Sequence, residues 1–432
     1  MRPYRDQHDI MNIPEITIDS SLRARLQQGH PWVYRNHVSG GEHLRSGQWV
    51  RVRCGGWIAY GLWDTRSAIA VRLFSRQAVP DADWIGERVW EAWESRAAIR
   101  NSIPNTSAYR WIYGEGDGLP GLVVDRYGDY AVIHTYAESV QAIVSQVATA
   151  MRGCDPELRG VSIHQRPQDD EEGDDSPSPP HASRSPASRL PPPASRPLPP
   201  ASRLLPLWGD LPPDDLVIQE HGLYFRANLR QGQKTGLFLD QRENRQAIES
   251  LASGLTVLNC FAYTGGFSLY ALRGGADVVT SVDSGRGLAE ATADNIALNR
   301  LDARRHSFIT EDCFSLLDGY VKTGQHFQMV ILDPPSFART KGSAYAAQRA
   351  YARLNTLAMR CVEPGGLLVT SSCTSQIAPE AFRSMLGEAA VAAQRRAQII
   401  HEVGQPADHP VPVAFPEGRY LKFIIARVLP VL

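Results

Sequence analysis

The C-terminal half of this 432-residue chain predicts an α/β fold built on a doubly wound, mostly parallel sheet. Three observations support this prediction. Runs with strand character alternate with runs of helical spacing between residues 228 and 432. Gly265 and Gly266 follow the first strand, where they let a backbone approach a ligand closely. Acidic residues recur at the ends of later strands, and open sheets of this kind bind ligands at those ends.

Length and composition set the broad class of the protein. At about 150 residues per domain, the chain is long enough for two or three domains. Its 43% hydrophobic and 21% charged residues are typical of a globular protein, and a net charge of −1 neither requires nor excludes nucleic acid. The six cysteines contain no C-x-x-C pair, which argues against a zinc or iron–sulfur site and a secreted disulfide framework. No run of about 18 apolar residues occurs, so we expect no membrane span. The scattered cysteines and the polar N-terminus lead us to expect a cytoplasmic protein without a metal.

Residues 1–76 predict a small β-rich domain, because Gly-rich turns separate short strands. The predicted strands cover residues 49–53, 58–62 and 70–74. Aromatic and arginine side chains interleaved on such a domain can stack on bases and hold phosphates. The candidates for RNA contact are Trp32, Arg35, Arg51 and Arg53. The alternative is that Trp32 and Tyr34 belong to the core and that the arginines form a solvated face.

Residues 77–227 predict a mixed α+β domain. Helices are predicted at 84–100 and 140–151, strands at 119–125, 130–136 and 160–164, and a closing hairpin at 216–219 and 223–227. An insert at about 167–213 interrupts this domain with an acidic run and then a Pro/Ala/Ser/Arg repeat. Such a composition cannot bury a core, so we expect the insert to be disordered, as an expanded surface loop.

Residues 228–432 predict the doubly wound sheet itself. The predicted strands are 256–259, 278–282, 307–310, 329–332 and 366–371, and the predicted helices are 265–273, 287–299, 345–361 and 379–394, with further strands at the C-terminus. The glycine loop lacks the third glycine of a dinucleotide-binding motif, so a ligand without a pyrophosphate fits better. S-adenosylmethionine is such a ligand. Asp283 would then bond its ribose hydroxyls, and Asp312 its adenine amino group.

The fourth strand is followed by Asp333-Pro334-Pro335-Ser336-Phe337. Two prolines stiffen this loop and aim Asp333 into the cleft. An Asp-Pro-Pro run followed directly by an aromatic residue is used to methylate exocyclic amines, with the aromatic ring stacked on the base. Ser336 precedes the aromatic residue here, which weakens that interpretation without removing it.

The fifth strand is followed by Cys373, at the sheet edge where reactive groups gather. Carbon 5 of a pyrimidine is a poor nucleophile until a thiolate adds to carbon 6. That chemistry needs a cysteine, an acid near N3 and a base. The candidates are Cys373 as nucleophile, Asp333 as acid and Glu417 as base. The alternative for Cys373 is a small buried hydrophobic residue.

Several blocks together resemble one known family, the bacterial large-subunit (23S) ribosomal RNA cytosine-C5 methyltransferases. The blocks are residues 231–245, 258–267, 333–337, 371–375, 409–411 and 416–422, and Gly29-His30-Pro31-Trp32-Val33-Tyr34 resembles the start of that family's PUA domain. The resemblance covers nearly the whole chain except the insert. Family members usually have lysine at the position of Ser336, and they often have glycine shortly after the cysteine.

The resemblance implies a PUA domain, a small central α+β domain and a Rossmann-like class I methyltransferase domain. It implies ribosomal RNA as partner, S-adenosylmethionine as cofactor and Cys373 as nucleophile, and a homodimer is compatible with it. The predicted cofactor contacts are Gln241, Arg242, Phe261, Tyr263, Thr264, Gly265, Gly266, Asp283, Asp312, Cys313, Asp333 and Pro335. Two alternatives stay open: methylation of an exocyclic amine of RNA or protein through Asp333 and Phe337, and a non-catalytic RNA-binding assembly factor.

Overall fold

The computed structural model describes residues 13–103, 105–165, 203–230, 237–337 and 344–431. Within these ranges the chain forms a six-stranded N-terminal sheet, a five-stranded central sheet, a two-stranded hairpin and a seven-stranded C-terminal sheet. No helix in the same ranges is both long and apolar enough to cross a membrane.

The N-terminal domain is built around one curved sheet. Its elements are β1 (Glu15–Ile18), α1 (Arg23–Gln27), β2 (Trp32–Tyr34), β3 (Val38–Ser39), β4 (Trp49–Cys54), β5 (Trp57–Trp63) and β6 (Ile69–Ser75). The strands lie in the order β2-β6-β5-β4-β1-β3. In β4, Val50, Val52 and Cys54 are buried, whereas Arg51 and Arg53 alternate with them on the other face. The three strands predicted here are confirmed.

The central domain packs helices against a second sheet. Its elements are α2 (Ala82–Ser95), α3 (Ala97–Ser102), β7 (Ala108–Tyr113), β8 (Leu122–Tyr127), β9 (Tyr130–Thr135), α4 (Val144–Cys154), β10 (Gly160–Gln165) and β11 (Arg203–Gly209). The strand order is β11-β10-β9-β8-β7. Val89 of α2 and Met151 of α4 share a buried core with Trp111 of β7. Strand β7 was not predicted, because its buried residues do not alternate with exposed ones.

The predicted C-terminal boundary of the insert, at about residue 213, is wrong. Residues 166–202 lie outside the described ranges, but residues 203–209 form β11, which pairs antiparallel with β10. Without β11, β10 would be an open sheet edge. The new strand buries Leu204, and Trp208 Nε1 donates to the Ala148 carbonyl at 2.9 Å. The apolar residues after the last Pro/Ala/Ser/Arg repeat therefore return the chain to the domain.

The C-terminal domain is a seven-stranded sheet with helices on both faces. After the hairpin of β12 (Val217–Glu220) and β13 (Leu223–Arg226) come α5 (Arg242–Glu249), β14 (Thr256–Cys260), α6 (Gly266–Arg273), β15 (Val278–Asp283), α7 (Leu288–Leu298), β16 (His306–Thr310), α8 (Cys313–Thr323), β17 (Phe327–Leu332), α9 (Ala344–Cys361), β18 (Val362–Ser372), α10 (Pro379–Ala392), β19 (Arg395–Val403) and β20 (Lys422–Pro430). The order is β16-β15-β14-β17-β18-β20-β19, and β20 runs antiparallel to both neighbours. The chain direction along the sheet reverses between β14 and β17, which opens a crevice at their carboxyl ends.

A buried charge cluster joins the central and C-terminal domains. Both η nitrogens of Arg242 donate to the Asp408 carboxylate, each at 3.0 Å. The backbone N–H of Arg110 donates to the same carboxylate at 2.9 Å, and Arg96 Nη2 donates to the Asp408 carbonyl at 2.8 Å. Arg110 lies in β7 and Arg96 directly follows α2, whereas Arg242 begins α5 and Asp408 lies between β19 and β20. The cluster therefore fixes the position of one domain against the other.

Candidate active site

The carboxyl ends of four parallel strands bring the predicted site residues to one edge of the sheet. Cys260, the last residue of β14, is in register with Val282 of β15 and Leu332 of β17. Leu332 is in turn in register with Thr370 of β18. The residues that end or follow these strands, Asp283, Asp333 and Cys373, therefore lie along the same edge as the glycine loop.

The glycine loop after β14 is held in an unusual backbone conformation. Phe261 and Tyr263 have positive φ angles of 59° and 49°, and Gly265 has a φ of 82°. A Cβ atom at residue 265 would lie 2.5 Å from Cγ2 of Thr292, so glycine is required both by conformation and by space. Asn295 Nδ2 donates to the Thr264 carbonyl at 3.1 Å and supports the loop from α7.

Asp283 ties this loop to the end of β15. Its carboxylate accepts from the backbone N–H of Tyr263 at 2.9 Å and from that of Gly285 at 3.0 Å. Each carboxylate oxygen keeps a further lone pair for a ligand. A glycine backbone beside a carboxylate at the second strand end fits the methionine and ribose parts of S-adenosylmethionine.

Asp312 and Cys313, both predicted cofactor contacts, have different environments. Asp312 is exposed and caps α8, since its carboxylate accepts from the Ser315 backbone N–H at 2.9 Å. Cys313 is buried, and its Sγ accepts from the Phe261 backbone N–H at 3.3 Å. Burial therefore gives Cys313 a role in shaping the glycine loop, whereas Asp312 stays accessible to a ligand.

Asp333 lies at the centre of a polar network. Its Oδ1 accepts from Gln241 Nε2 at 2.8 Å and from the Ser371 hydroxyl at 2.5 Å. Burial raises the pKa of Asp333 to about 6, although these two hydrogen bonds oppose the rise. The nearby carboxylate of Asp240 raises it further. A pKa of about 6 leaves a minor protonated fraction at neutral pH, and this is the form that can donate a proton to a nucleobase.

Gln241 and Arg242 are neighbours in sequence but act in different places. Gln241 is buried, donates to Asp333 and accepts from Asn244 Nδ2 at 2.6 Å. Arg242 was predicted to contact the cofactor, and its surroundings weigh against that contact. Its guanidinium is fully buried in the ion pair with Asp408, so it has no surface to offer a ligand.

Cys373 follows β18 and is partly exposed beside the Asp-Pro-Pro loop, with its Sγ 4.0 Å from the Pro334 carbonyl oxygen. Pro335, the next residue of that loop, is exposed at the cleft. By contrast, burial raises the pKa of Cys54, Cys154 and Cys361, which makes those thiols less reactive. Cys154 is also partly exposed, but it ends α4 of the central domain, so Cys373 is the partly exposed thiol at the sheet edge that carries the site.

Phe337 packs into an aromatic cluster at the end of the same loop. Its ring centroid lies 4.7 Å from that of Tyr351 and 6.0 Å from that of Phe314. Both contacts hold the ring against other side chains of the protein. This packing weighs against Phe337 as the stacking platform that amine methylation would need.

Glu417, the predicted base, lies at the contact between the N-terminal and C-terminal domains. Its carboxylate accepts from Arg25, and its Oε2 lies 3.4 Å from His30 Nε2. Partial burial favours a raised pKa, but a backbone N–H, His30 and Arg25 outweigh it and lower the pKa of Glu417. A carboxylate held in this way is a weak proton acceptor, so its contacts favour a structural role.

The predicted RNA contacts divide into two pairs. Trp32 Nε1 donates to Glu115 at 2.7 Å, and its ring lies 4.6 Å from that of Phe415. Arg35 donates to the Ser67 carbonyl at 3.1 Å and lies over the Trp63 ring. These contacts give Trp32 and Arg35 structural roles within the protein. Arg51 and Arg53 both pair with Glu15 on the outer face of β4, where their side chains are 37% and 41% exposed.

Several residues of the site carried little signal in the sequence. Ser371, Asn244, Asp240 and Lys422 all reach the cleft or its supports. Lys422 was the most detectable, since it is a cation at the start of a mainly apolar strand. Within the described ranges, no group of three or more His, Cys, Asp and Glu side chains could hold a metal ion.

A doubly wound sheet with a glycine loop, a carboxylate at the end of the second strand and an Asp-Pro-Pro loop defines a class I S-adenosylmethionine-dependent methyltransferase. The family of S-adenosylmethionine-dependent methyltransferases matches residues 203–416, and the PUA-like domain family matches residues 16–76. The predicted fold class and cofactor are confirmed.

The relatives narrow this class further. Ribosomal RNA large subunit methyltransferase I of Erwinia tasmaniensis is 35% identical over 412 residues, which cover 94% of this chain and 96% of that protein. The protein of the same name from Shewanella denitrificans is 34% identical over 424 residues, which cover 96% and 99%. The chain belongs to the ribosomal RNA large subunit methyltransferase I family.

Solved structures share the fold along the whole chain. A SAM-dependent methyltransferase from Streptococcus mutans has a TM-score of 0.78 and 20% identity, and covers 96% of this chain with 100% of its own. The methyltransferase SMU.776, crystallised with SAH, has a TM-score of 0.80 and 22% identity, with the same coverage.

Proposed function

We propose that this protein methylates carbon 5 of a cytosine in large-subunit ribosomal RNA, in the cytoplasm, through a covalent adduct with Cys373. The observation that carries the proposal is the position of Cys373: it is partly exposed just after β18, beside the loop that begins with Asp333, whose pKa is raised by burial. S-adenosylmethionine supplies the methyl group as an electrophile.

The reaction begins with the thiolate of Cys373. Its electron pair forms a bond to carbon 6 of the cytosine. The carbon 5–carbon 6 π pair then forms a carbon 4–carbon 5 double bond, and the carbon 4–N3 π pair moves onto N3. The Asp333 carboxyl donates its proton to N3, which neutralises the charge developing on the ring. Carbon 5 is now an enamine carbon and can attack the methyl group, while the bond from methyl to sulfur breaks.

The second half restores the aromatic ring. A general base takes the proton from carbon 5, and the electron pair of that C–H bond re-forms the double bond. The carbon 6–sulfur bond breaks, the pair returns to Cys373, and the N3 proton returns to Asp333. The contacts of Glu417 with Arg25 and His30 weigh against its role as this base.

Binding of the RNA is proposed for the PUA-like domain, with Arg51 and Arg53 as phosphate contacts on the outer face of β4. Phosphate contacts should make affinity fall with salt, and each lost contact should reduce the slope of log affinity against log salt by about 1. We expect the double variant Arg51→Gln, Arg53→Gln to reduce that slope without changing the rate of methyl transfer within the protein–RNA complex. Arg304→Gln is the control, because this exposed arginine also pairs with a carboxylate, that of Asp302, but lies in the C-terminal domain.

The test is methyl transfer from labelled S-adenosylmethionine to ribosomal RNA from a strain lacking this gene, followed by nucleoside analysis. We expect 5-methylcytosine with the intact protein and none with Cys373→Ala. Cys154→Ala is the matched control, because that thiol is also partly exposed but lies in the central domain. RNA containing 5-fluorocytidine should trap a denaturation-resistant adduct with the intact protein only, since fluorine blocks the final proton removal.

Two results would contradict the proposal. Label on an exocyclic nitrogen would favour amine methylation through the Asp-Pro-Pro loop. Full activity of Cys373→Ala would exclude the covalent route.

A further inference from the structure

Lys422 is a buried lysine directly beside the proposed nucleophile. It is the first residue of β20 and is in register with Ser372, the residue before Cys373. Its side chain reaches past the strand, and Nζ donates to the carbonyl of Thr374, the residue after Cys373, and to the Tyr420 carbonyl at 2.8 Å. The lysine therefore holds the backbone at Thr374, immediately after Cys373. Only 3% of its surface is exposed.

Among the described residues, the ammonium has no acidic partner that would explain its burial. Within the described part of the chain, no carboxylate forms an ion pair with Lys422, and the one charge interaction that raises its pKa comes from Cys373. Burial is the larger effect and lowers the pKa of Lys422 to about 8. A buried cation without a counter-ion destabilises the fold, so such residues are kept mainly at functional sites.

Three titratable groups of the described ranges lie around the thiol. Tyr351 of α9 and Lys422 of β20 both interact electrostatically with Cys373, and Asp333 begins the loop whose Pro334 carbonyl oxygen lies 4.0 Å from Sγ. Burial raises the pKa of Tyr351, so that phenol stays neutral. Asp333 is either neutral or negative, so it cannot favour an anion on sulfur. Lys422 is thus the group of the three that can favour an anion on sulfur.

We propose that Lys422 is a positioning residue whose ammonium stabilises the thiolate form of Cys373. When the S–H bond breaks, the electron pair stays on Sγ and the proton goes to bulk water, while Lys422 keeps its three protons. Two of those protons are committed to backbone carbonyls, which keeps the charge in place as the substrate enters. The inference rests on the proposed role of Cys373 as nucleophile.

The test measures the thiolate directly, without methyl transfer. Alkylation of Cys373 by iodoacetamide is followed by peptide-resolved mass spectrometry from pH 5 to pH 10 in the full-length protein. In the unmodified protein we expect the midpoint to lie below about 8.5, the ordinary pKa of a cysteine. Lys422→Met keeps the length of the side chain and removes its charge. We expect it to move the midpoint upward by about 1 pH unit or more, and to slow alkylation at pH 7 about tenfold.

Two further variants separate charge from structure. Lys422→Arg keeps the charge and should keep the midpoint near that of the unmodified protein. Arg427→Gln, an exposed position on the same strand, should leave it unchanged. Relative to the unmodified protein at the same pH, the activity of Lys422→Met should recover as the pH rises, whereas structural damage would lower this ratio equally at every pH.

An unchanged midpoint in folded Lys422→Met overturns the inference. So does a midpoint at or above about 8.5 in the unmodified protein, which can be read even if the variant fails to fold. Failure of the proposed function is a different result, namely methyl transfer that survives Cys373→Ala, and it leaves the alkylation profile interpretable.

Discussion

The hydroxyl of Ser371 donates a hydrogen bond to Oδ1 of Asp333, with 2.5 Å between the two oxygen atoms. The bond joins the end of β18 to the residue that follows β17. It favours the ionised carboxylate and therefore limits the rise in pKa that burial imposes on Asp333. The acid strength of the proposed proton donor is thus set partly by the strand that carries the proposed nucleophile.

Ser371→Ala should move the pH dependence of methyl transfer. Without this hydrogen bond we expect the pKa of Asp333 to rise by up to about 1 unit. Because the protonated carboxyl is the active form, the fall in rate on the alkaline side should then begin at a higher pH. Single-turnover methylation between pH 5 and pH 9 measures this. Thr370→Val is the control, since its buried hydroxyl has no hydrogen-bond partner in the described ranges. An unshifted profile in Ser371→Ala would separate Asp333 from the proton transfer.

Asp333→Asn should stabilise the fold while it removes activity. The folded-state pKa of about 6 lies above the ordinary value of 3.8, so the ionised carboxylate costs stability as the pH rises from about 4 through 6. Asparagine carries no such charge. We expect this variant to be more stable by up to about 3 kcal/mol at pH 8, and by less at pH 5. Urea unfolding at both values measures this difference, and an equal effect at the two pH values would refute it. Methyl transfer should fall by about 10²–10⁴-fold.

Gly265→Ala should weaken cofactor binding. An added Cβ would meet Cγ2 of Thr292 at 2.5 Å, and the φ of 82° disfavours any side chain. Either the loop or α7 must shift, so we expect the affinity for S-adenosylmethionine to fall about tenfold or more, equivalent to about 1.4 kcal/mol. Gly287→Ala is the matched control, with a φ of 74° and open space around its Cβ position. Calorimetric titration should show near-normal affinity for the control. Equal losses in both variants would assign the effect to backbone strain alone.

Asp408→Asn should loosen the junction between the central and C-terminal domains. It leaves the buried guanidinium of Arg242 without its full counter-charge, which typically costs about 3–5 kcal/mol. His409 and Arg242 lower the pKa of Asp408 despite its burial. This contribution to stability is therefore present above the ordinary carboxyl pKa of about 4 and is lost only at lower pH. Denaturant unfolding at pH 7 measures the loss. Asp302→Asn removes an exposed partner of Arg304 and should change stability little. A similar small effect at Asp408 would show that the cluster is not needed.

Glu417→Gln should keep the chemical step. Arg25 and His30 already engage the carboxylate, so we expect the single-turnover rate to remain within a few-fold of the original. The contact between the N-terminal and C-terminal domains should weaken, which would appear as a higher KM for RNA. Trp32→Ala removes the neighbouring contact with Phe415 and should act in the same direction. A loss of about 10² or more in the rate at saturating RNA would restore Glu417 as the base.

The fold class and the strand ends that carry the chemistry could be predicted from local sequence patterns. Strand and helix periodicities are local, and so are the glycine loop, Asp283, Asp333 and Cys373, each of which directly follows or ends a recognisable strand. Parallel strands must present their carboxyl ends together, so local pattern was enough to gather these residues at one edge. The end of the insert could not be predicted from local pattern, because β11 forms by pairing with β10, which is distant in the sequence.

The tertiary structure alone decided which polar side chains face the cleft. Gln241 and Arg242 are adjacent, but successive residues at the start of a helix point about 100° apart, so one reaches Asp333 and the other Asp408. Lys422 is nearly fifty residues from Cys373 in sequence, and only the antiparallel pairing of β20 with β18 brings them together. Trp32 meets Phe415 by the docking of two domains. Such contacts depend on strand order and domain packing, which join distant segments and leave no trace in the local pattern of either segment.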